Sequence, residues 1–279
     1  MNRVSKITLN TPVVSAEWLN NNLQAENVLI FDASIPKVVG NTSELSEEQL
    51  PDAQFFDIKK AFSDASGEFP NTIPSEAQFQ TKARELGVHN DSAIIVYDDK
   101  GIYSSARVWW LFEVFGYTNV AILNGGLPEW QKQDFKTEPK HDNTKPLGNF
   151  EAHFNPDYVV YFDDLETLSK DQNTLILDAR ASGRFNCEVP EPRAGLRSGT
   201  IPNSKNLPFA NCLEYGKLKD KSELQNIFNT LIPSTNTKIV FTCGSGITAC
   251  VLDIAATIAG YTNTRVYDGS WTEYGSLTP

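Results

Sequence analysis

The chain repeats itself. Val28-Leu29-Ile30-Phe31-Asp32-Ala33 is answered far downstream by Leu175-Ile176-Leu177-Asp178-Ala179-Arg180, and Leu50-Pro51-Asp52-Ala53 by Ile201-Pro202-Asn203-Ser204. Ala93-Ile94-Ile95-Val96-Tyr97-Asp98 returns as Lys238-Ile239-Val240-Phe241-Thr242-Cys243. Phe115-Gly116-Tyr117-Thr118-Asn119 returns as Ala259-Gly260-Tyr261-Thr262-Asn263, and Leu123-Asn124-Gly125-Gly126 as Tyr267-Asp268-Gly269-Ser270. Two copies predict two like domains rather than a solenoid. Within each, short apolar strands alternate with helical stretches, which predicts an α/β fold: a parallel sheet flanked by helices. Ser15-Ala16-Glu17-Trp18-Leu19 reads as a helix start. The polar stretch from Glu138 to Asn149, with Pro139, Pro146 and Gly148, reads as the linker. The expected division is a first domain over 1–138, a linker over 139–155 and a second domain over 156–279.

The repeat also assigns roles, because Asp98 stands in the first copy where Cys243 stands in the second. Lys238-Ile239-Val240-Phe241-Thr242 reads as a buried strand, and Val251, Ile254, Ala255, Ile258 and Ala259 fall at helical spacing up to a stop at Gly260. Between them lies Cys243-Gly244-Ser245-Gly246-Ile247-Thr248. A strand, a glycine-containing loop and a helix N-terminus in succession form an anion cradle, with backbone N–H groups turned inward and the helix dipole behind them. A cysteine at its mouth is expected to be a thiolate and a nucleophile, the plain alternative being a buried structural thiol. Cys250, beside apolar helical positions, reads as packed core. Phosphate chemistry on such a loop needs an arginine closing it; position 249 is Ala, and no Arg or Lys lies between Cys243 and Cys250.

Composition narrows the partners. With 24 Lys and Arg against 35 Asp and Glu, the formal net charge of −11 argues against nucleic acid and anionic membrane surfaces. An anionic substrate therefore needs local arginines. Arg184 and Arg193 sit on one loop stiffened by Pro190 and Pro192, a placement suited to clamping a carboxylate. The four cysteines show no CxxC or His-rich spacing, so neither a disulfide framework, a metal site nor a cofactor is expected. Met1-Asn2-Arg3-Val4-Ser5-Lys6 leads to no apolar segment, and no run is long enough to span a bilayer. A reducing, cytoplasmic setting is expected.

The loop Cys243-Gly244-Ser245-Gly246-Ile247-Thr248 resembles the active-site loop of the rhodanese superfamily, in the form found in its 3-mercaptopyruvate sulfurtransferase branch. The resemblance covers nearly the whole chain. It includes Tyr103-Ser104-Ser105-Ala106-Arg107-Val108-Trp109-Trp110, Gly183-Arg184-Phe185 and Glu191-Pro192-Arg193. It implies an inactive first domain and a catalytic second one. Cys243 and Ser245 then act in catalysis, while Arg184, Arg193, Gly244, Gly246, Ile247 and Thr248 bind substrate. Thr248 is also a candidate cap for the following helix. By resemblance, Arg184 and Arg193 hold the donor's carboxylate and ketone. Thiosulfate-using relatives carry Arg-Lys where Gly244 and Ser245 stand, and tend not to keep Arg at position 193. Asp178 and Asp268 are read as loop braces, and Trp109 and Trp110 as core or interface anchors. The family's proton-relaying His, placed in a His-Ile-Pro-Gly-Ala motif, is matched here to Gln49, which cannot titrate. His89, His141 and His153 match no family catalytic position, and Cys187 is a candidate redox partner of Cys243.

The implied activity is transfer of sulfane sulfur from 3-mercaptopyruvate, through a Cys243 persulfide, to a thiol or cyanide acceptor, thioredoxin-like proteins included. A thiosulfate sulfurtransferase and a non-catalytic persulfide-binding or redox-sensing module are the alternatives. Because only one copy of the loop carries a cysteine, Cys243→Ser is expected to abolish turnover with the fold intact. Cys187→Ser, Cys212→Ser and Cys250→Ser should keep most activity. Intact mass after donor treatment should show one sulfur added at Cys243; a persulfide elsewhere, with Cys243 unmodified, would overturn the assignment.

Overall fold

The computed structural model describes residues 6–38, 44–232, 234 and 236–279. Met1–Ser5, the start of the stretch read above for a targeting segment, lies outside them. By contacts the chain divides into two units. The first contains Met1–Ala65, Pro74–Phe154 and Tyr215–Lys217; the second contains Ser66–Ile73, Asn155–Glu214 and Leu218–Pro279. Two short segments therefore lie with the unit that does not hold their sequence neighbours.

In the first unit the elements run β1 (Val13–Val14), α1 (Ala16–Asn22), β2 (Val28–Asp32), β3 (Gln54–Phe55), α2 (Glu76–Glu85), β4 (Ala93–Tyr97), α3 (Ser105–Val114), β5 (Val120–Leu123) and α4 (Gly126–Lys132). The sheet order is β1-β5-β4-β2-β3, every pair parallel. All five residues of β4 are buried, as expected of a strand covered by helices on both faces. The helix expected after Ser15 is α1, whose Trp18 N–H donates to Ser15 Oγ at 3.0 Å. Phe31, Phe56, Phe62, Phe79 and Phe112 form a contiguous aromatic cluster within this core. Part of the expected linker is bound along this unit. The N–H groups of Gly148, Phe150 and His153 donate to the carbonyls of Arg84, Val88 and Phe115. A Cβ on Gly148 would stand 1.9 Å from the Val88 carbonyl oxygen, so only glycine lets the chain lie so close.

The second unit runs β6 (Val159–Val160), α5 (Phe162–Lys170), β7 (Thr174–Asp178), α6 (Ser182–Phe185), β8 (Lys205–Asn206), α7 (Lys221–Asn229), β9 (Lys238–Thr242), α8 (Ala249–Ala259), β10 (Thr264–Tyr267) and α9 (Ser270–Leu277). Its parallel order, β6-β10-β9-β7-β8, repeats the first sheet strand for strand. Among the described residues, the short α6, which carries Arg184, has no matching α-helix in the first unit. The helix α8 is buried along most of its length and stops at Gly260, whose φ of +101° is the left-handed C-terminal signal.

Asp253 lies inside α8, 3 % exposed, and one carboxylate oxygen has no hydrogen-bond partner among the described residues. Burial pushes its pKa from 3.8 up to about 6, against a smaller opposing effect of a hydrogen bond with Thr264. The folded state thus holds the proton more tightly than the unfolded chain. Stability should fall as pH rises from about 4 to about 6 and stay lowered above that. Asp253→Asn removes this dependence. Relative to wild type it should gain about 2 kcal/mol more at pH 8 than at pH 4.5, measured by urea unfolding; equal differences at both pH values would contradict the assignment.

Candidate active site

Strand β9 delivers Cys243 to the start of the loop, where it is 2 % exposed. Gly246 turns the chain at φ +76°, a conformation open to glycine. The first turn of α9 holds the loop from behind. Trp271 N–H donates to the Cys243 carbonyl at 3.0 Å and Thr272 N–H to the Gly244 carbonyl at 2.9 Å. Ser270 Oγ accepts from the N–H groups of Cys243, at 3.2 Å, and Gly246, at 3.1 Å. Two of the expected cradle donors are therefore used internally. The N–H groups of Gly244, Ser245, Ile247 and Thr248 meet no acceptor among the described residues, so the cradle's anion-binding capacity rests on them. Thr248 occupies the cap position of α8 with helical backbone angles, and its side chain makes no capping bond. The expected cap fails because a helical φ/ψ turns the hydroxyl away from the first N–H groups. Cys250 is the second residue of α8, fully buried, with its thiol donating to the Gly246 carbonyl at 3.3 Å.

The expected arginines both reach this loop. Arg193 Nη2 donates to Ser245 Oγ at 2.8 Å. Arg184 lies over Gly244: a Cβ there would stand 2.9 Å from Arg184 Nη2, so glycine makes room for the guanidinium. Arg184 is fixed by Glu191, with Nη2 donating to Oε2 at 2.5 Å. Glu191 also accepts from Arg180 Nη1 at 2.8 Å, and Arg180 grips Asp178 through Nε and Nη2. The result is an alternating chain, Asp178–Arg180–Glu191–Arg184, whose Arg180 and Glu191 side chains are wholly buried. Burial opposes the charge on Arg180, but its bonds to Asp178 and Glu191 outweigh that and raise its pKa. Arg180 and Arg197 both stack on Trp271, at 4.7 and 4.8 Å, linking this chain to α9. Asp178 thus braces an arginine, and Asp268 accepts from the Ile73 N–H at 2.7 Å.

Gln49 is bonded within the first unit. Its amide nitrogen donates to the Ala53 carbonyl and to Glu138, with His141 Nδ1 at 3.5 Å, all within the first unit. The side chain that stands on Ser245 is Asn71, whose Nδ2 lies 3.1 Å from both the Ser245 carbonyl and Oγ. The residue matched to the relay position through the Leu50-Pro51 motif is thus tied to Ala53 and Glu138. Asn71 carried no motif, and only the placement of Ser66–Ile73 with the second unit reveals it. Glu191 and Ser270 likewise carry no local signal of the roles they have here. Cys187 is exposed, and all four cysteines are free thiols.

In the first unit Asp98 occupies the matching loop. Its Oδ2 accepts from the N–H groups of Tyr103, Ser104 and Ser105 and from Ser105 Oγ. The same strand–loop–helix geometry thus holds a carboxylate in one copy and presents a thiol in the other.

A parallel α/β unit with a thiol at such a loop defines a class built for nucleophilic sulfur chemistry with an anionic guest. The rhodanese-like domain model matches residues 15–133 and again 162–277, and the chain belongs to that family. It is 38% identical over 267 residues to the 3-mercaptopyruvate sulfurtransferase of Escherichia coli strain K12, covering 94% of each. It is 34% identical over 297 residues to the mitochondrial thiosulfate/3-mercaptopyruvate sulfurtransferase 1 of Arabidopsis thaliana, covering 98% of this chain and 78% of the other. A crystal structure of an Escherichia coli 3-mercaptopyruvate sulfotransferase with the rhodanese fold superposes with a TM-score of 0.83 at 36% identity, covering 94% of this chain and 99% of that one.

Removing one partner from a buried charge chain leaves the others uncompensated. Glu191→Ala should therefore lower stability by about 3–5 kcal/mol in urea unfolding. A loss below about 1 kcal/mol would show that Arg180 and Arg184 are held by other groups.

Proposed function

We propose that this chain is a sulfurtransferase that takes sulfane sulfur from 3-mercaptopyruvate onto Cys243 and passes it to a thiol or cyanide acceptor, releasing pyruvate. The observation that carries the choice of donor is the charge layout. The loop from Cys243 to Ala249 contains no charged side chain, while Arg184 and Arg193 reach it from its flank. Thiosulfate is a small dianion with charge close to the transferred sulfur, and suits cations beside the nucleophile. Mercaptopyruvate carries its charge on a carboxylate several bonds away, and suits a neutral loop with guanidinium groups further out. The chain Asp178–Arg180–Glu191–Arg184 sums to zero charge, so it positions a guanidinium without creating a strong net positive field.

The Cys243 thiolate attacks the mercaptopyruvate sulfur. The S–S bond forms as the carbon–sulfur bond breaks, and its electron pair leaves with pyruvate as the enolate. Arg184 and Arg193 bind the carboxylate and stabilise the enolate oxygen, which then gives way to pyruvate as carbon takes a proton. The hydropersulfide left on Cys243 gives up its proton, which balances the one the enolate carbon takes, and the N–H groups of Gly244, Ser245, Ile247 and Thr248 stabilise the resulting persulfide anion. A thiol acceptor, thioredoxin-like proteins included, takes the outer sulfur and regenerates Cys243, which makes the kinetics ping-pong. A reducing compartment, the cytoplasm, keeps the nucleophile as a thiol.

Measured in parallel, kcat/KM should favour mercaptopyruvate over thiosulfate by at least about tenfold, or about 1.4 kcal/mol in transition-state energy. Arg184→Ala and Arg193→Ala should each lower it by roughly ten- to a thousandfold, and Arg193→Lys should recover only part. Equal or better efficiency with thiosulfate would reject the donor assignment.

A further inference from the structure

The segment Ser66–Ile73 belongs to the second unit, and Asn71 on it is buried beside the loop with φ +63°. Asn71 Nδ2 is 3.1 Å from the Ser245 carbonyl oxygen and 3.1 Å from Ser245 Oγ. A carbonyl oxygen only accepts, so the end of the amide facing it must be the NH2 group. That fixes Asn71 as a donor toward the hydroxyl as well. Arg193 Nη2, which also can only donate, is 2.8 Å from the same Oγ. A serine hydroxyl has two lone pairs and one hydrogen. Two donors fill both lone pairs, and the hydrogen is left with the remaining direction.

We infer that Asn71 is a positioning residue which, together with Arg193, turns Ser245 into a one-way hydrogen-bond donor for the anion that forms in the loop. Neither partner of Ser245 can take its proton: an amide does not titrate, and a guanidinium stays charged. Ser245 is therefore no link in a proton relay. Its O–H is oriented in advance, and stabilises charge on the sulfur or on the leaving enolate as that charge develops. Asn is also the side chain best able to do this from a left-handed backbone position, since it tolerates positive φ where most residues do not.

This inference rests on the mercaptopyruvate reading, and the experiment separates the two. Pyruvate release from mercaptopyruvate is measured for the wild type, Asn71→Gly, Ser245→Ala and the double variant. Glycine keeps the positive φ and removes only the side chain. Asn71→Gly should lower kcat by about tenfold or more with KM within about threefold, because the arginines still hold the carboxylate. In the Ser245→Ala background the same change should cost less than about twofold in kcat, since its route through the hydroxyl is gone. Asn71→Asp, nearly isosteric and at ease at positive φ, replaces the donor with an acceptor and should lose at least as much kcat. It serves as the second variant if Asn71→Gly fails to fold. An active wild type whose Asn71→Gly and Asn71→Asp variants keep kcat within about twofold would overturn this inference alone. So would an equal loss of kcat with and without the Ser245 hydroxyl, which would mark Asn71 as an anchor of the loop backbone only. A wild type inactive with mercaptopyruvate would overturn the donor assignment and this inference with it.

Discussion

One hydroxyl oxygen holds the reactive loop closed. Ser270 Oγ receives the N–H of Cys243 at the loop's start and that of Gly246 at its turn, so both points are tied to a single atom. The next two N–H groups of α9 bind the carbonyls of Cys243 and Gly244. With those carbonyls drawn back toward α9, the remaining N–H groups of the loop define the cup that an anion sees. Ser270 does this from a left-handed backbone, φ +51°, which costs of order 1 kcal/mol or more in a residue with a Cβ. The matching position in the first copy is Gly126, at φ +54°. There no thiol loop has to be held, and a Cβ would meet the Asp98 carbonyl oxygen at 2.2 Å.

The two copies together show what the geometry is for. In the first, the carboxylate of Asp98 fills its own cradle with a fixed anion and closes it to any guest. In the second, Cys243 places a sulfur at the mouth instead, and guanidinium groups approach from α6 and from the loop beyond it. The short helix α6 and the buried chain of alternating charges have no counterpart among the described residues of the first unit. They are the additions that turn a closed cradle into a site.

Much of this was legible in the sequence because it rests on local patterns. The repeated strand motifs, the run Lys238–Thr242 and the glycine-containing loop each report on backbone geometry within a few residues. The parallel order of both sheets follows from the same alternation. What could not be read depended on contacts distant in sequence. Asn71 meets Ser245 across 174 positions, and nothing in its neighbours marks it. Glu191 was visible only as part of a matching motif, and its task, joining Arg180 to Arg184, appears once Arg180 is seen to be buried. Thr248 shows the opposite error: a residue type suited to a helix cap, set where the backbone is already helical. The motif match marks Gln49, but its bonds to Ala53 and Glu138, with His141 beside it, are contacts no local pattern announces.

The segment Ser66–Ile73 has a consequence for how such a molecule can evolve. It is encoded in the first half of the chain yet supplies Asn71 and Ile73 to the second unit, beside the nucleophile's loop and Asp268. After duplication, the half that carries an aspartate instead of a nucleophile still held part of the other half's site. A gene fission at the linker, or loss of the first copy, would strip Ser245 of one of its two donors. The two halves are thus bound to a common inheritance, and the cysteine-bearing copy is no longer a self-sufficient descendant of its ancestor.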